Sequence, residues 1–282
     1  MLCDTNFSGL MLLRPGGGTP LFCIHGAGGY AALDYKDLAA SLPEDQPVYG
    51  FSLPALEQFL TVEQLASIYL QEVRKIQQHG PYQLCGYSFG GLVAYEMARM
   101  LLDEGNHVSL LALFDTIHPA SGRNLSIARK MEFRVAYLID RFAKYGRNLL
   151  RGNVVQIAAD LASSISHRVP RLAWKVARFF SRKSTRSIPR VVRSNQLVLN
   201  EAGSRYNPRQ YSGSVVLFRS LTRDVEYKMD ITLGWKVCVT GHIDVQLVQG
   251  DHFSIMFLPN VKLLVDLLVP YLCTGISDKS SR

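Results

Sequence analysis

No stretch of eighteen consecutive apolar residues occurs in the 282-residue chain, which removes a membrane-spanning helix of ordinary length from consideration. The first residues, MLCDTNFSGLMLLRPGGG, place an acid before any base and hold no apolar run of signal-peptide length. Cysteine is scarce and scattered: Cys3, Cys23, Cys85, Cys238 and Cys273 form no CxxC pair and are odd in number. That usage fits reduced thiols and a cytoplasmic protein better than a disulfide framework. Cys23 and Cys85 lie in apolar, strand-like runs and read as core packing. Glycine (22) and proline (12) are not in excess, so no long disordered tract is implied. GK[ST] and G-x-G-x-x-G are both absent, which weakens a nucleotide site. No closely spaced set of His, Cys and Asp ligands suggests zinc.

What is present is ample apolar material, 48% of residues, enough for one sizeable core. The formal charge of +8 is unevenly placed. Between Arg123 and Arg193 stand 17 Lys/Arg against 3 Asp/Glu, a local balance of +14, so the remainder carries −6. Hydropathy patterning divides the chain in the same way. Residues 1–18 are a short lead-in. Residues 19–118 alternate apolar runs (PLFCIHG, YQLCGYS, SLLALFD) with helix-period stretches (LASIYLQEVRKIQQ, GLVAYEMARMLLDEG). Residues 119–205 are mostly helical by pattern and hold the basic excess. Residues 206–282 return to strand-like runs (GSVVLFRS, DVQLVQG) and close on a helix over NVKLLVDLLVPYL. The expectation is one α/β core, 19–118 with 206–282, built on a mostly parallel sheet with helices on both faces and interrupted by a helical insertion.

Three motifs carry chemistry. Gly86-Tyr87-Ser88-Phe89-Gly90 is G-x-S-x-G between an apolar strand and a helix, the setting in which a serine sits exposed at the tip of a strained turn. The helix that follows aims its N–H groups at developing negative charge. His25-Gly26-Ala27-Gly28-Gly29, after PLFCI, is a candidate oxyanion loop, with the backbone N–H groups of Ala27 and Phe89 as donors. His25 reads as a loop-shaping hydrogen-bonder. Gly250-Asp251-His252-Phe253 follows a late strand, and His252 is the last of seven histidines, where a Ser-acid-His chain order puts the base. His242 is its main rival, and His118 follows the acid candidate too closely. For the acid, Asp115 ends the run LLALF at the same sheet edge as Ser88, while Asp224, after VVLFRS, is the alternative. Asp251 is too near His252 in sequence to orient its ring.

Together LRPGGGTPLFCIHGAGG, GYSFGGLVAYEMA, LLALFDT, NPRQYSGSVVLFRS and GW followed by VQGDHFSIM resemble the thioesterase domains that end modular polyketide and non-ribosomal peptide synthases. The resemblance runs from about Leu10 to Leu272. It implies the α/β-hydrolase fold, the triad Ser88, Asp115 and His252, and an acyl thioester presented on the phosphopantetheine of an acyl or peptidyl carrier protein, with no metal or diffusible cofactor. It places the acid after the strand that follows the nucleophile helix, which favours Asp115. Free-standing editing thioesterases usually carry His and Met around the nucleophile; this chain has Tyr87 and Phe89, and so looks like the releasing type. Residues 119–205 become a lid, with Phe133, Tyr137, Phe142 and Leu149 as candidates to line an acyl channel or simply to pack the lid. Its charge suits steering of an acidic carrier protein. A nucleic-acid role is a poor rival, since aromatics beyond Trp174, Phe179 and Phe180 are not interleaved with the bases. A basic stretch such as RFFSRKSTRSIPRVVR also suits attraction to a membrane surface. An editing thioesterase, a general carboxylesterase and a non-catalytic binding module are the alternatives.

Overall fold

The computed structural model describes residues 9–53, 60–121, 195–222 and 230–274. Seven strands among them form one sheet: β1 (Leu10–Arg14), β2 (Leu21–Ile24), β3 (Val48–Phe51), β4 (Tyr82–Tyr87), β5 (Val108–Phe114), β6 (Val215–Thr222) and β7 (Ile243–Asp251). Their order is β1-β3-β2-β4-β5-β6-β7. Only the β1–β3 pairing is antiparallel; the other five are parallel. The helices are α1 (Ala31–Asp34), α2 (Lys36–Ser41), α3 (Val62–Ile76), α4 (Phe89–Asp103), α5 (Asn195–Arg205) and α6 (Asn260–Thr274).

Side-chain alternation along the strands feeds two cores. On β5, Leu111 and Leu113 face α3, α4 and α5, while Leu110, Ala112 and Phe114 face α1, α2 and α6. Both faces are thus covered, as a parallel sheet requires. The helix α3 begins with a reciprocal cap: Gln64 N–H donates to Thr61 Oγ1 at 3.2 Å, and Thr61 N–H donates to Gln64 Oε1 at 2.9 Å. From there Val62, Leu65, Ala66, Tyr69, Leu70 and Val73 fall on one buried face. Cys23 and Cys85 are buried on neighbouring strands, in register with one another.

The apolar runs read from sequence became β2, β4, β5, β6 and β7. Two strands had not been read. β1 falls within the lead-in and forms the sheet edge, with the Arg14 guanidinium bonded to the Ala39 and Leu42 carbonyl oxygens. β3 pairs with both β1 and β2. Of the segment 119–205, residues 119–121 and 195–205 are described; the latter form α5, whose Val198, Leu199 and Ala202 are buried against the α4 side of the sheet. Phe133, Tyr137, Phe142, Leu149 and Asp224 lie outside the described residues.

Because β2, β4, β5, β6 and β7 run in one direction, the turns after Ile24, Tyr87, Phe114 and Asp251 gather at one sheet edge. The chain leaves this edge beyond β5, where Ser121 Oγ donates to the Leu233 carbonyl at 3.0 Å. It returns at Asn195, whose Nδ2 reaches the Leu53 carbonyl beside Gly29. β4 lies between these two points in the sheet, so departure and return flank Ser88.

Candidate active site

Ser88 stands between β4 and α4 with φ 54° and ψ −115°, a backbone conformation unfavourable for any residue with a Cβ. Close approaches hold it there. A Cβ on Gly86 would lie 2.3 Å from the Gly90 carbonyl oxygen, and one on Gly90 would lie 2.2 Å from that of Ile24. Glycine at 86 and 90 thus lets the strand, the helix and the loop after β2 pass within contact of each other. The Ser88 N–H donates to the Phe114 carbonyl at 2.9 Å, and Thr116 Oγ1 donates to the Ser88 carbonyl at 3.0 Å. The elbow is therefore bolted to the turn that follows β5.

That turn carries Asp115, also at positive φ (49°) and almost fully buried. Ser220 of β6 donates to both of its oxygens, N–H to Oδ1 and Oγ–H to Oδ2, each at 3.0 Å. The buried Trp235 indole donates to the Thr116 carbonyl at 2.8 Å and steadies the same turn.

His252 bridges the two. Its Nδ1 lies 2.8 Å from Asp115 Oδ2 and its Nε2 lies 3.0 Å from Ser88 Oγ. An ionised carboxylate only accepts, so Nδ1 carries the ring proton and Nε2 offers its lone pair to the serine hydroxyl. Asp115 is buried while the His252 side chain is 32% exposed, which leaves the base open toward a substrate.

The loop after β2 approaches from the other side. The His25–Gly29 turn is closed by the Gly29 N–H to Gly26 carbonyl bond at 3.1 Å, and Asp34 Oδ2 accepts the Gly26 N–H at 2.7 Å. Burial raises the Asp34 carboxyl above its ordinary value. Phe89 opens α4, so its N–H has no acceptor within the helix. A Cβ on Gly90 would meet the Ile24 and His25 carbonyl oxygens, so the start of α4 and the loop after β2 lie against each other beside Ser88.

The rival residues are placed elsewhere. His25 is buried, with Nδ1 2.7 Å from the Gly26 carbonyl oxygen and Nε2 2.6 Å from the Tyr69 hydroxyl. The carbonyl can only accept, so Nδ1 is protonated and Nε2 accepts from Tyr69. Burial lowers its pKa to about 4, and the ring stays neutral. His242 precedes β7 and so sits at the opposite sheet edge. His118 is buried edge-on against Trp235, and its Nδ1 accepts the Ala120 N–H at 3.1 Å. Asp251 caps its own loop by accepting the N–H groups of Phe253 and Ser254, which, with that loop's hydroxyl, hold its carboxyl below the usual range. Among the described residues no cluster of three or more His, Cys, Asp or Glu side chains is arranged to hold a metal ion. Nor is any described helix long and apolar enough to cross a membrane.

Ser220, Thr116 and Trp235 escaped the sequence reading. Ser220 ends the stretch NPRQYSGSVVLFRS and Thr116 ends LLALFDT; both stretches carry the family resemblance, but the roles of these side chains exist only through contacts across the chain.

Residues 19–266 match the family model described as a thioesterase domain. Over 93% of its length the chain is 30% identical to malpinin synthetase of Mortierella alpina, of which it spans 3%. It is 25% identical to the non-reducing polyketide synthase crz7 of Cladonia metacorallifera over 94% of its length, spanning 12% of that protein. In structure it is similar to the NocB thioesterase domain, solved as a covalent complex with a fluorophosphonate nocardicin G analogue. The TM-score is 0.62 at 23% identity, with 94% of this chain and all of that one covered.

Proposed function

The chain belongs to the thioesterase-domain family, and on that premise we propose that it releases an acyl or peptidyl chain from the phosphopantetheine arm of a carrier protein through an acyl-enzyme on Ser88. The single observation that carries the assignment is the continuous relay from Ser88 Oγ to His252 Nε2 (3.0 Å) and from His252 Nδ1 to Asp115 Oδ2 (2.8 Å) at the tip of a strained turn.

In the proposed reaction Ser88 Oγ attacks the thioester carbonyl as His252 Nε2 takes its proton. Asp115 keeps the imidazole in the required tautomer and stabilises its charged form. The Ala27 and Phe89 N–H groups receive the oxyanion; in a related chemistry one such donor is worth about 3–4 kcal/mol. Collapse breaks the C–S bond, and the sulfur leaves as the thiol, taking the proton from His252 and returning the imidazole to its neutral form. Water, or a hydroxyl or amine of the same acyl chain, then attacks the ester and gives its proton to His252. The second collapse returns that proton to Ser88. Only side chains, backbone dipoles and the attacking nucleophile take part. The sequence resemblance and the malpinin synthetase and crz7 relatives support a carrier-bound thioester as substrate.

Intact mass spectrometry after incubation with a panel of acyl thioesters tests the reading. The wild type is expected to retain an acyl mass and to label with a fluorophosphonate, and Ser88→Ala to do neither. Linear acid or ring among the products distinguishes hydrolysis from cyclisation. A wild type that labels with neither reagent, or that turns over oxygen esters in preference to matched thioesters, overturns it.

A further inference from the structure

The base is carried by the least sheltered part of the site. His252 follows the end of β7, and beyond it Phe253 is 75% exposed, with Phe257 and Leu258 also turned outward. Within this loop the Phe253 and Ser254 N–H groups donate to the Asp251 carboxylate, and further along Ile255 and Met256 are buried in the core. Asp115 meets the imidazole at Nδ1 and Ser88 meets it at Nε2, and where the ring sits also depends on its own backbone.

Tyr87 holds that backbone. It is the last residue of β4 and precedes Ser88; it pairs with Phe114 across β4–β5 and is largely buried. Its hydroxyl donates to the main-chain carbonyl of His252 at 2.6 Å. Its ring lies against the imidazole, centroids 5.2 Å apart and planes 27° from parallel. Phe253 flanks the imidazole edge-on at 5.4 Å. The Tyr87 ring also borders the loop after β2: a Cβ on Gly26 would come within 3.1 Å of Cδ1 and 3.3 Å of Cε1. One side chain thus touches the base loop and the oxyanion loop, while its backbone leads directly into the nucleophile.

We infer that Tyr87 is the positioning residue that sets the His252 backbone relative to Ser88, fixing the distance over which the proton moves. The hydroxyl meets the carbonyl of His252 and not its ring, so Tyr87 neither donates nor receives a catalytic proton. Its contribution is to the geometry of Nε2 against Oγ. Misplacement on the scale of an ångström between reacting groups costs up to about 100-fold in rate.

The inference rests on the acyl-transfer reading above, and the test separates the two. Tyr87→Phe removes the hydroxyl and keeps the ring; Tyr87→Leu removes both. With rates normalised to sites titrated by a fluorophosphonate, Tyr87→Phe is expected to lower kcat about tenfold and Tyr87→Leu about 100-fold, with KM within about twofold of wild type. The low-field proton resonance of the His252–Asp115 hydrogen bond should broaden or move in both variants. A purely structural role would reduce the fraction of titratable sites and the melting temperature, leaving kcat per site and the resonance unchanged; that result overturns the inference. A wild type that does not label overturns the acyl-transfer reading and this inference with it. A wild type that labels alongside a Tyr87→Phe variant of equal kcat overturns this inference alone.

Discussion

Ser220 commits both its backbone and its side-chain donor to one carboxylate. Those two bonds, with the Asp115 N–H to Phe218 carbonyl bond at 2.7 Å, hold Asp115 toward His252 from β6. Hydrogen bonds to a buried charged group contribute about 1.5–3 kcal/mol each. Ser220→Ala leaves the N–H bond and is expected to lower stability by about 2 kcal/mol. It should also lower kcat with little change in KM, read by urea denaturation and steady-state kinetics on one preparation. A variant equal to wild type in both would show that the backbone N–H alone orients the acid. At this scale much of the site was legible beforehand. Ser88 announces itself through glycines that serve close approach, and His252 through its position after a late strand. Pattern favours Asp115 over Asp224 without excluding the latter, because both follow apolar runs; the resemblance strengthens Asp115, and its Oδ2 lies 2.8 Å from His252 Nδ1. Ser220 and Tyr87 were silent as partners because a hydrogen bond across 105 or 165 residues leaves no local trace.

Helix α4 carries the nucleophile at its start and an ion cluster at its middle. Glu96 is buried, bonded twice by Arg99 at 2.7 and 3.1 Å and once by the Tyr206 hydroxyl at 2.6 Å. Burial, and then the Glu96 charge, push the Tyr206 phenol up, so it remains a donor. Tyr206 directly follows α5, and its bond ties the strand-bound helix to the point where the chain rejoins the core. Tyr206→Phe is expected to cost about 1–3 kcal/mol by leaving part of a buried carboxylate unsatisfied. The urea midpoint should fall at constant m-value; an unchanged midpoint would show that Arg99 satisfies Glu96 alone. Elements with a strong period were readable in advance, as α3, α4, β4 and β5 show. β1 and β3 were not. LMLLR and VYGF are too short to show a period, and β1 is defined by pairing with a strand some 40 residues later.

The described strands form one sheet assembled from both sides of the basic segment: β6, encoded after it, pairs in register with β5, encoded before it. Folding must therefore bring together distant parts of the chain, and pH acts on that assembly through His25. Its folded pKa is about 4 against 6.5 for the free side chain. Between those values the unfolded chain binds a proton that the folded one refuses, so stability is full above pH 6.5 and declines as pH falls toward 4. The shift corresponds to about 3 kcal/mol. Asp251, with its lowered pKa, loses its contribution only below 3.8, outside this window. Thermal melts of wild type and His25→Gln across pH 4–6.5 should converge at the acid end; parallel profiles would remove His25 as the cause. Two of the three described non-glycine residues at positive φ, Ser88 and Asp115 (Leu233 is the third), act on the same total in the opposite sense. Each holds the backbone where it costs of order 1–3 kcal/mol, and that cost is borne by the rest of the sheet. Selection for heat resistance alone would therefore drift toward glycine at residue 88 and discard the nucleophile, so only selection for turnover keeps the elbow occupied by serine.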